Sequence, residues 1–308
     1  MTAVVQRFRE GDWRQRVHAP SADEIGQLGE AFNQMADTIV ANVGQLEQTD
    51  RLRRELVAGI SHDLRSPLTS IQGYIETILL KEPTLSADER RRYLETVNQN
   101  VVFLSRLVDD LFELSKLEAR QTVPQLEPFS IEELAHDVVL KYQPQAEARQ
   151  LRLVAPDPQE LPLVSADVAM IERTLDNLIE NALRYTPPEG EIRIDLSRQQ
   201  DRVNVAVSDS GSGIPAEDLP YIFDRFYRVD RSLSGHPDSE GGTGAGTGLG
   251  LAISSKIVEA HHSQIDVRSG VDEGTTFSFA LGISADTLKG PRQLPPAVPR
   301  SARDDRPI

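Results

Sequence analysis

Four short groups of residues combine side chains and spacings suited to chemistry. The first is Ser61-His62-Asp63-Leu64-Arg65-Ser66-Pro67-Leu68, set within a strongly helical pattern. A neutral imidazole is a good nucleophile near pH 7 and can attack a phosphoryl group. The adjacent Asp63 carboxylate can orient the ring or take its proton. Pro67 lacks an N–H, so the helix is expected to bend there and loosen the backbone around His62. A histidine in a helix is ordinarily a plain surface or core residue, and His62 gains its weight from the groups downstream.

The second group is Asn177-Leu178-Ile179-Glu180-Asn181-Ala182-Leu183-Arg184-Tyr185-Thr186-Pro187. Asn177, Asn181 and Arg184 follow one another at steps of four and three, which puts them on one helix face. An amide oxygen can coordinate Mg²⁺ beside phosphate oxygens, and an arginine can offset phosphate charge. A solvated polar face is the plainer explanation of this group taken alone. The third group, Asp209-Ser210-Gly211-Ser212-Gly213-Ile214-Pro215, follows a strand-like run ending near Val207. Its glycines allow backbone to approach a ligand closely, and a carboxylate at a strand end can accept from an adenine amino group. An ordinary acidic turn has the same composition. The formal dinucleotide fingerprint Gly211-x-Gly213-x-x-Ala216 lacks the parallel βαβ setting that such a site requires. The fourth group, Gly241 to Leu251, contains Gly246-Thr247-Gly248-Leu249-Gly250 and opens a helix bearing Ile253 and Ile257. Glycines before a helix start present amides at the positive end of the dipole, a natural phosphate cradle. No Lys-Ser or Lys-Thr follows, which excludes a Walker loop. A mobile lid is expected over about 231–244. The last three groups are weak singly, but their order and spacing together are specific.

These groups need elements to position them. Residues 1 to about 46 read as polar helix interrupted at Gly11 and at His18-Ala19-Pro20-Ser21; about 47–120 read as two long helices. Leu104, Leu107, Leu111, Leu114 and Leu117 trace one apolar face, and Leu52, Leu56, Ile60, Ile71, Ile75 and Ile78 trace another. Pro83 and the capping box Ser86-Ala87-Asp88-Glu89 mark a short turn between them. One antiparallel hairpin cannot cover its own apolar stripe, so a homodimeric four-helix bundle is expected. Over 129–283, alternation at Ile192/Ile194/Leu196, Val203/Val205/Val207, Ile265/Val267 and Phe277/Phe279/Leu281 predicts four strands. Helices are predicted at about 167–185 and 247–260, giving an α+β sandwich with helices on one face of a sheet. Residues 284–308 have the composition of a disordered tail.

The chain has 308 residues, no cysteine and a net charge of −15. That excludes disulfides and thiolate metal sites and disfavours nucleic acid as a partner. No apolar run approaches the length of about 20 residues needed to span a bilayer. No signal-peptide pattern opens the chain.

In order and spacing the four groups resemble the H, N, G1 and G2 boxes of sensor histidine kinases. Phe223-Asp224-Arg225-Phe226-Tyr227-Arg228 resembles the F box, and Gly274-Thr275-Thr276-Phe277 the last glycine box. Asp23-Glu24-Ile25-Gly26 and Phe32-Asn33-Gln34-Met35-Ala36 resemble the end of a HAMP domain. The likeness covers roughly residues 50–283. It implies a HAMP-like relay over 1–46, a dimerisation and histidine phosphotransfer hairpin over 47–120, and a Bergerat-type ATP-binding domain over 129–283. It implies autophosphorylation of His62 from ATP and Mg²⁺, then transfer to an aspartate of a response-regulator receiver domain in a two-component phosphorelay. By the same resemblance Asp63 is the activating acid and Asn181 the metal ligand, with Asn177 beside it. Arg184 takes a basic position, Tyr185 packs near adenine, and Asp209 reads the adenine amino group. Gly211, Gly213 and Ile214 form the first glycine turn; Gly246, Thr247, Gly248, Leu249 and Gly250 close over the phosphates; Thr276 belongs to the last box. Ser66 stands where relatives with phosphatase activity carry Thr or Asn, and its hydroxyl can orient a water. The likeness also implies a cytoplasmic location, as the inner portion of a sensor of the inner membrane.

Two other readings compete. Gyrase-like, mismatch-repair and chaperone ATPases share the ATP fold, but they resemble one another in placing a glutamate four residues before the metal asparagine, where this chain has Asn177. A non-enzymatic ATP-binding scaffold would lack a residue that transfer requires, and no such residue is missing.

Overall fold

The computed structural model describes residues 2–9, 12–13, 15–18, 24–81, 84–119, 121–229 and 246–284. They form two compact units, 1–97 and 98–308.

The first unit contains α1 (Thr2–Arg9), α2 (Glu24–Lys81) and the start of α3 (Ala87–Glu118). The boundary expected at 46/47 falls inside α2, which runs unbroken for 58 residues. Pro67 lies within it, buried, and does not end it. An interior proline removes one rung of the hydrogen-bond ladder at a cost of about 3 kcal/mol, which the long flanking segments offset. Near the start of α2, the Asn33 side chain accepts from the Val17 N–H and donates to the Val17 carbonyl, each at 2.9 Å. Phe8 packs edge-on against Phe32, with ring centroids 5.4 Å apart. The interruptions expected at Gly11 and Pro20, the residue Asp23 and the turn at Pro83 lie outside the described residues, as do the side chains of Leu52 and Leu56.

The chain reverses between α2 and α3, bringing the rings of Tyr74 and Tyr93 to 5.3 Å. The capping box forms as read: Glu89 N–H donates to Ser86 Oγ at 3.2 Å, and Ser86 N–H donates to Glu89 Oε2 at 3.0 Å. These hydrogen bonds hold the Glu89 carboxyl below its ordinary pKa. Along α3, Leu107, Leu114 and Leu117 are buried.

The second unit continues with β1 (Glu127–Phe129), α4 (Ile131–Ala148), β2 (Arg152–Val154), β3 (Val164–Ala166) and α5 (Val168–Tyr185). It then adds β4 (Glu191–Gln199), β5 (Arg202–Asp209), α6 (Gly250–Ala260), β6 (Asp266–Gly270) and β7 (Gly274–Gly282). The main sheet has the order β2-β4-β5-β7-β6. β2 is parallel to β4, and the remaining pairs are antiparallel. The four alternating runs become β4 to β7, with Ile265 just ahead of β6. The single sheet expected from sequence is joined by a second, two-stranded one, β1-β3, tied to the residue after β7 by a bridge between Val164 and Ile283. Strands of three residues are too short to show a period of two, so they escaped the sequence pattern.

One sheet face carries Ile192, Ile194, Val203, Val205, Phe279 and Leu281, all buried. Against it lie α5 and the helices packed on α5, namely α4 and α6. α5 presents Ile171, Leu175, Leu178 and Ile179 to this core, and α6 presents Ile253, Ile257 and Val258. His261 ties the layer together. Its Nε2 accepts from the Asp167 N–H at 3.0 Å, which fixes Nδ1 as the donor to the Ile257 carbonyl at 2.7 Å. No described helix is long and apolar enough to cross a membrane. Beyond Ser284, the tail read as disordered lies outside the described residues.

Candidate nucleotide site

The site is built around the C-terminal turns of α5. Asp167 caps the start of this helix, accepting from Met170 N–H at 3.2 Å. At the other end the Thr186 hydroxyl donates to the Ala182 carbonyl at 2.7 Å, and Pro187 follows. The amphipathic pattern that buries Ile171 and Leu178 therefore sets the direction of Asn177, Asn181 and Arg184.

The two asparagines have different surroundings. Asn177 is only 7% exposed, and its Nδ2 donates to the Gly250 carbonyl at 3.0 Å and to Ser254 Oγ at 3.1 Å. It braces the first turn of α6 against α5. Asn181, one turn on, is half-buried, and so is Arg184. A Cβ at Gly246 would overlap the Arg184 guanidinium, so glycine there admits the cation beside the loop. Tyr185 is half exposed, and its carbonyl accepts from Ser212 N–H at 3.3 Å. A Cβ at Gly211 would come within 2.6 Å of that carbonyl.

Asp209 ends β5, and its Oδ1 accepts from Gly211 N–H at 2.8 Å. Burial raises its carboxyl above the ordinary pKa, against opposing hydrogen bonds from the Gly211 and Thr275 backbones. Gly213 has φ +64° and packs so closely on the Gly270 carbonyl that no side chain fits. The close approach made by this glycine is to the β6–β7 hairpin. Ile214 N–H donates to Ser269 Oγ at 2.8 Å, and Thr276 Oγ1 pairs with Ser208 Oγ at 2.9 Å. The strand order around β5 is antiparallel on both sides, which confirms that the dinucleotide fingerprint is a decoy.

The fourth group is described from Gly246 onward; Gly241 to Ala245 and the lid expected over 231–244 lie outside the described residues. Gly248 adopts φ +70° against Phe226, whose N–H donates to the Gly248 carbonyl at 2.9 Å. Leu249 is the fully buried N-cap of α6. The i→i−4 ladder starts with Ile253 N–H to the Leu249 carbonyl at 2.9 Å. The amides of Gly250, Leu251 and Ala252 precede that first rung and are the groups a helix leaves for an anion. With Arg184 they make a donor set that fits polyphosphate, and the Asn181 amide oxygen is of the hard type that can coordinate Mg²⁺.

His62 lies in α2, and its side chain is outside the described residues. Asp63 is half-buried and Ser66 exposed. The sequence reading passed over Asp110, Glu113 and Arg173. Arg173 on α5 pairs with Asp110 and, through Nε at 3.1 Å, with Glu113. Burial opposes the Arg173 charge, but these two carboxylates outweigh it and raise the pKa. The available signal was positional: Asp110 stands three residues after Leu107 and four before Leu114, on the buried face, where an unpaired carboxylate does not belong.

Residues 166–284 match the family described as Histidine kinase-, DNA gyrase B-, and HSP90-like ATPase. Residues 52–120 match the His Kinase A (phospho-acceptor) domain, and residues 1–41 the HAMP domain. With these modules in this order, the chain belongs to the sensor histidine kinases of two-component systems. It is 33% identical over 245 residues to the sensor histidine kinase WalK of Bacillus subtilis, an alignment covering 79% of this chain and 39% of WalK. The histidine kinase AdeS of Acinetobacter baumannii superposes with a TM-score of 0.57 at 25% identity, over 72% of this chain and 98% of that one. Histidine kinase ThkA, solved in complex with response regulator protein TrrA, superposes with a TM-score of 0.59 at 26% identity, over 75% of this chain and 61% of that one. The chain spans about two fifths of WalK's length.

Proposed function

We propose that this chain is an ATP-dependent protein-histidine kinase that phosphorylates His62 and passes the phosphoryl group to a receiver-domain aspartate of a response regulator. One observation carries the reading. The last turns of α5 are held between the first glycine turn, through Tyr185 and Gly211, and the second glycine loop, through Asn177 and Gly250. Asp209, Asn181, Arg184 and the α6 amides are thereby gathered at one end of the module. In this reading the Asp209 carboxylate accepts from the adenine amino group, and Tyr185 lies beside the base. Arg184 and the α6 amides face the phosphates, Thr247 shapes the loop that closes over them, and Asn181 holds Mg²⁺. Bound Mg²⁺ would offset phosphate charge.

The chemistry needs little beyond positioning and charge neutralisation. An imidazole nitrogen of His62 bonds to the γ-phosphorus as the bond to the ADP oxygen breaks. The ring proton passes to Asp63 or to solvent. Ser66, one turn on, faces solvent and can orient a water for the reverse hydrolysis. The exposed apolar residues of α2 and α3 support a homodimer, and the solved ThkA–TrrA pair supports a response regulator as the acceptor's carrier.

Incubation with γ-labelled ATP tests the reading. An acid-labile, base-stable label should appear on the parent and be absent from His62→Gln and Asn181→Ala. Label persisting in His62→Gln would refute the acceptor; label surviving in Asn181→Ala would refute the metal role.

A further inference from the structure

Asp110 belongs by sequence to the phosphotransfer hairpin, well before the ATPase-like residues 166–284. Yet Asp110 is 7% exposed, and both of its carboxylate oxygens are engaged by the ATP-binding module. Oδ1 accepts from Arg173 of α5, and Oδ2 accepts the hydroxyl proton of Thr247 at 2.7 Å. The arginine is explained by burial, since a desolvated carboxylate needs a cation. The threonine is not required for that and sits in the glycine-rich loop.

A hydroxyl has one proton and can also accept. With the Thr247 proton directed to Asp110, its oxygen accepts from Leu249 N–H at 3.3 Å. Gly248, between them, is held at φ +70° with its carbonyl on Phe226 N–H. The approach to α6 is thus fixed from three directions: Asp110 of α3, Phe226 of the F box, and Arg184 beside Gly246. Among the described residues, the first-turn amides are left uncommitted, already aimed. A cradle ordered before its ligand arrives saves the cost of ordering it on binding. Asp110's charge does not oppose this strongly, because Arg173 neutralises it at contact distance.

We propose that Asp110 is a positioning residue of the nucleotide site: through Thr247, the second helix of the hairpin holds the glycine-rich loop in its phosphate-binding shape. The proposal rests on the ATP-binding reading above. Coupling of this kind is reciprocal, so bound nucleotide must tighten the hold of α3 on the loop by the same factor.

Equilibrium binding of Mg·ATP to the full chain decides it. Asp110→Ala and Thr247→Val should each weaken binding by about fivefold or more, the lower end of ordinary coupling. Thr247→Ser keeps the hydroxyl and should restore affinity to near the parent value. Nucleotide should also slow amide exchange over residues 107–118 in the parent and not in Asp110→Ala, a response that a purely structural contact would not give. Thr247→Val leaves the Asp110–Arg173 pair intact and decides alone if Asp110→Ala does not fold. Variants that bind as tightly as the parent, or more tightly, overturn the proposal while leaving the ATP reading standing. A parent that binds no nucleotide overturns both.

Discussion

The ATP-binding module buries its apolar residues against one another, whereas the helical hairpin leaves many of its own in solvent. In the module Ile192, Ile194, Leu175, Ile179, Ile253 and Phe279 are fully or almost fully enclosed. On the long helices Leu79, Leu80, Leu94, Val101, Val102 and Phe112 are exposed. Apolar residues recurring along helices without cover mark an interface, and here they support the homodimer proposed above. With that homodimer, stability in this chain would have two origins: one intrinsic to a folded layer, the other dependent on the concentration of a second copy.

Substitutions on either side test that division. The largest effect is expected in the closed core, where Ile253→Ala should lower the stability of the ATP module by about 2–5 kcal/mol. Its urea midpoint should not depend on protein concentration. Leu94→Glu should barely move that midpoint but should shift sedimentation towards the monomer. Unchanged self-association in Leu94→Glu would remove the exposed row from the dimer face.

Asp209 offers a subtler test, because burial and ligand recognition act on it with opposite sign. Its folded pKa lies above the ordinary value, so the free module gains stability on acidification and loses it as pH rises through the raised pKa. If Asp209 accepts from adenine as proposed, nucleotide affinity should fall as pH drops through the same range, beginning above the usual carboxylate region. Asp209→Asn should therefore be more stable than the parent at neutral pH when free, yet bind ATP more weakly and with a flat pH profile there. Parallel thermal melts and titrations at several pH values check both halves. The smallest effect is expected at the cap of α4: Ser130 Oγ accepts from Glu133 N–H at 3.2 Å, and Ser130→Ala should cost about 1 kcal/mol in a urea melt of the module.

Much of this organisation was legible in the sequence because it rests on local rules. The Ser86–Glu89 box, the β4 to β7 alternation and the glycine turns each follow from spacing within a few residues. What escaped depends on partners distant in the chain. β1, β2 and β3 are three residues each and exist through their pairing. α4 was passed over although Ser130-Ile131-Glu132-Glu133 carries the same capping signal as Ser86 to Glu89. Asn177, grouped with Asn181 by periodicity, proves to be a brace because Gly250 and Ser254 come to meet it from beyond residue 249. Asp110 could be noticed as an acid on an apolar face, but nothing local names Thr247 as its partner.

The unbroken run of α2 from Glu24 to Lys81 also converts length into angle. Each residue advances the helix by about 100° and 1.5 Å, so the segment is a shaft about 87 Å long on which position along the chain fixes compass bearing. His62 has no hinge between itself and the Asn33–Val17 clasp with which to correct its heading. One residue added near Gln48 would swing the histidine about 100° around the axis, while seven would return it to within about 20° of where it began.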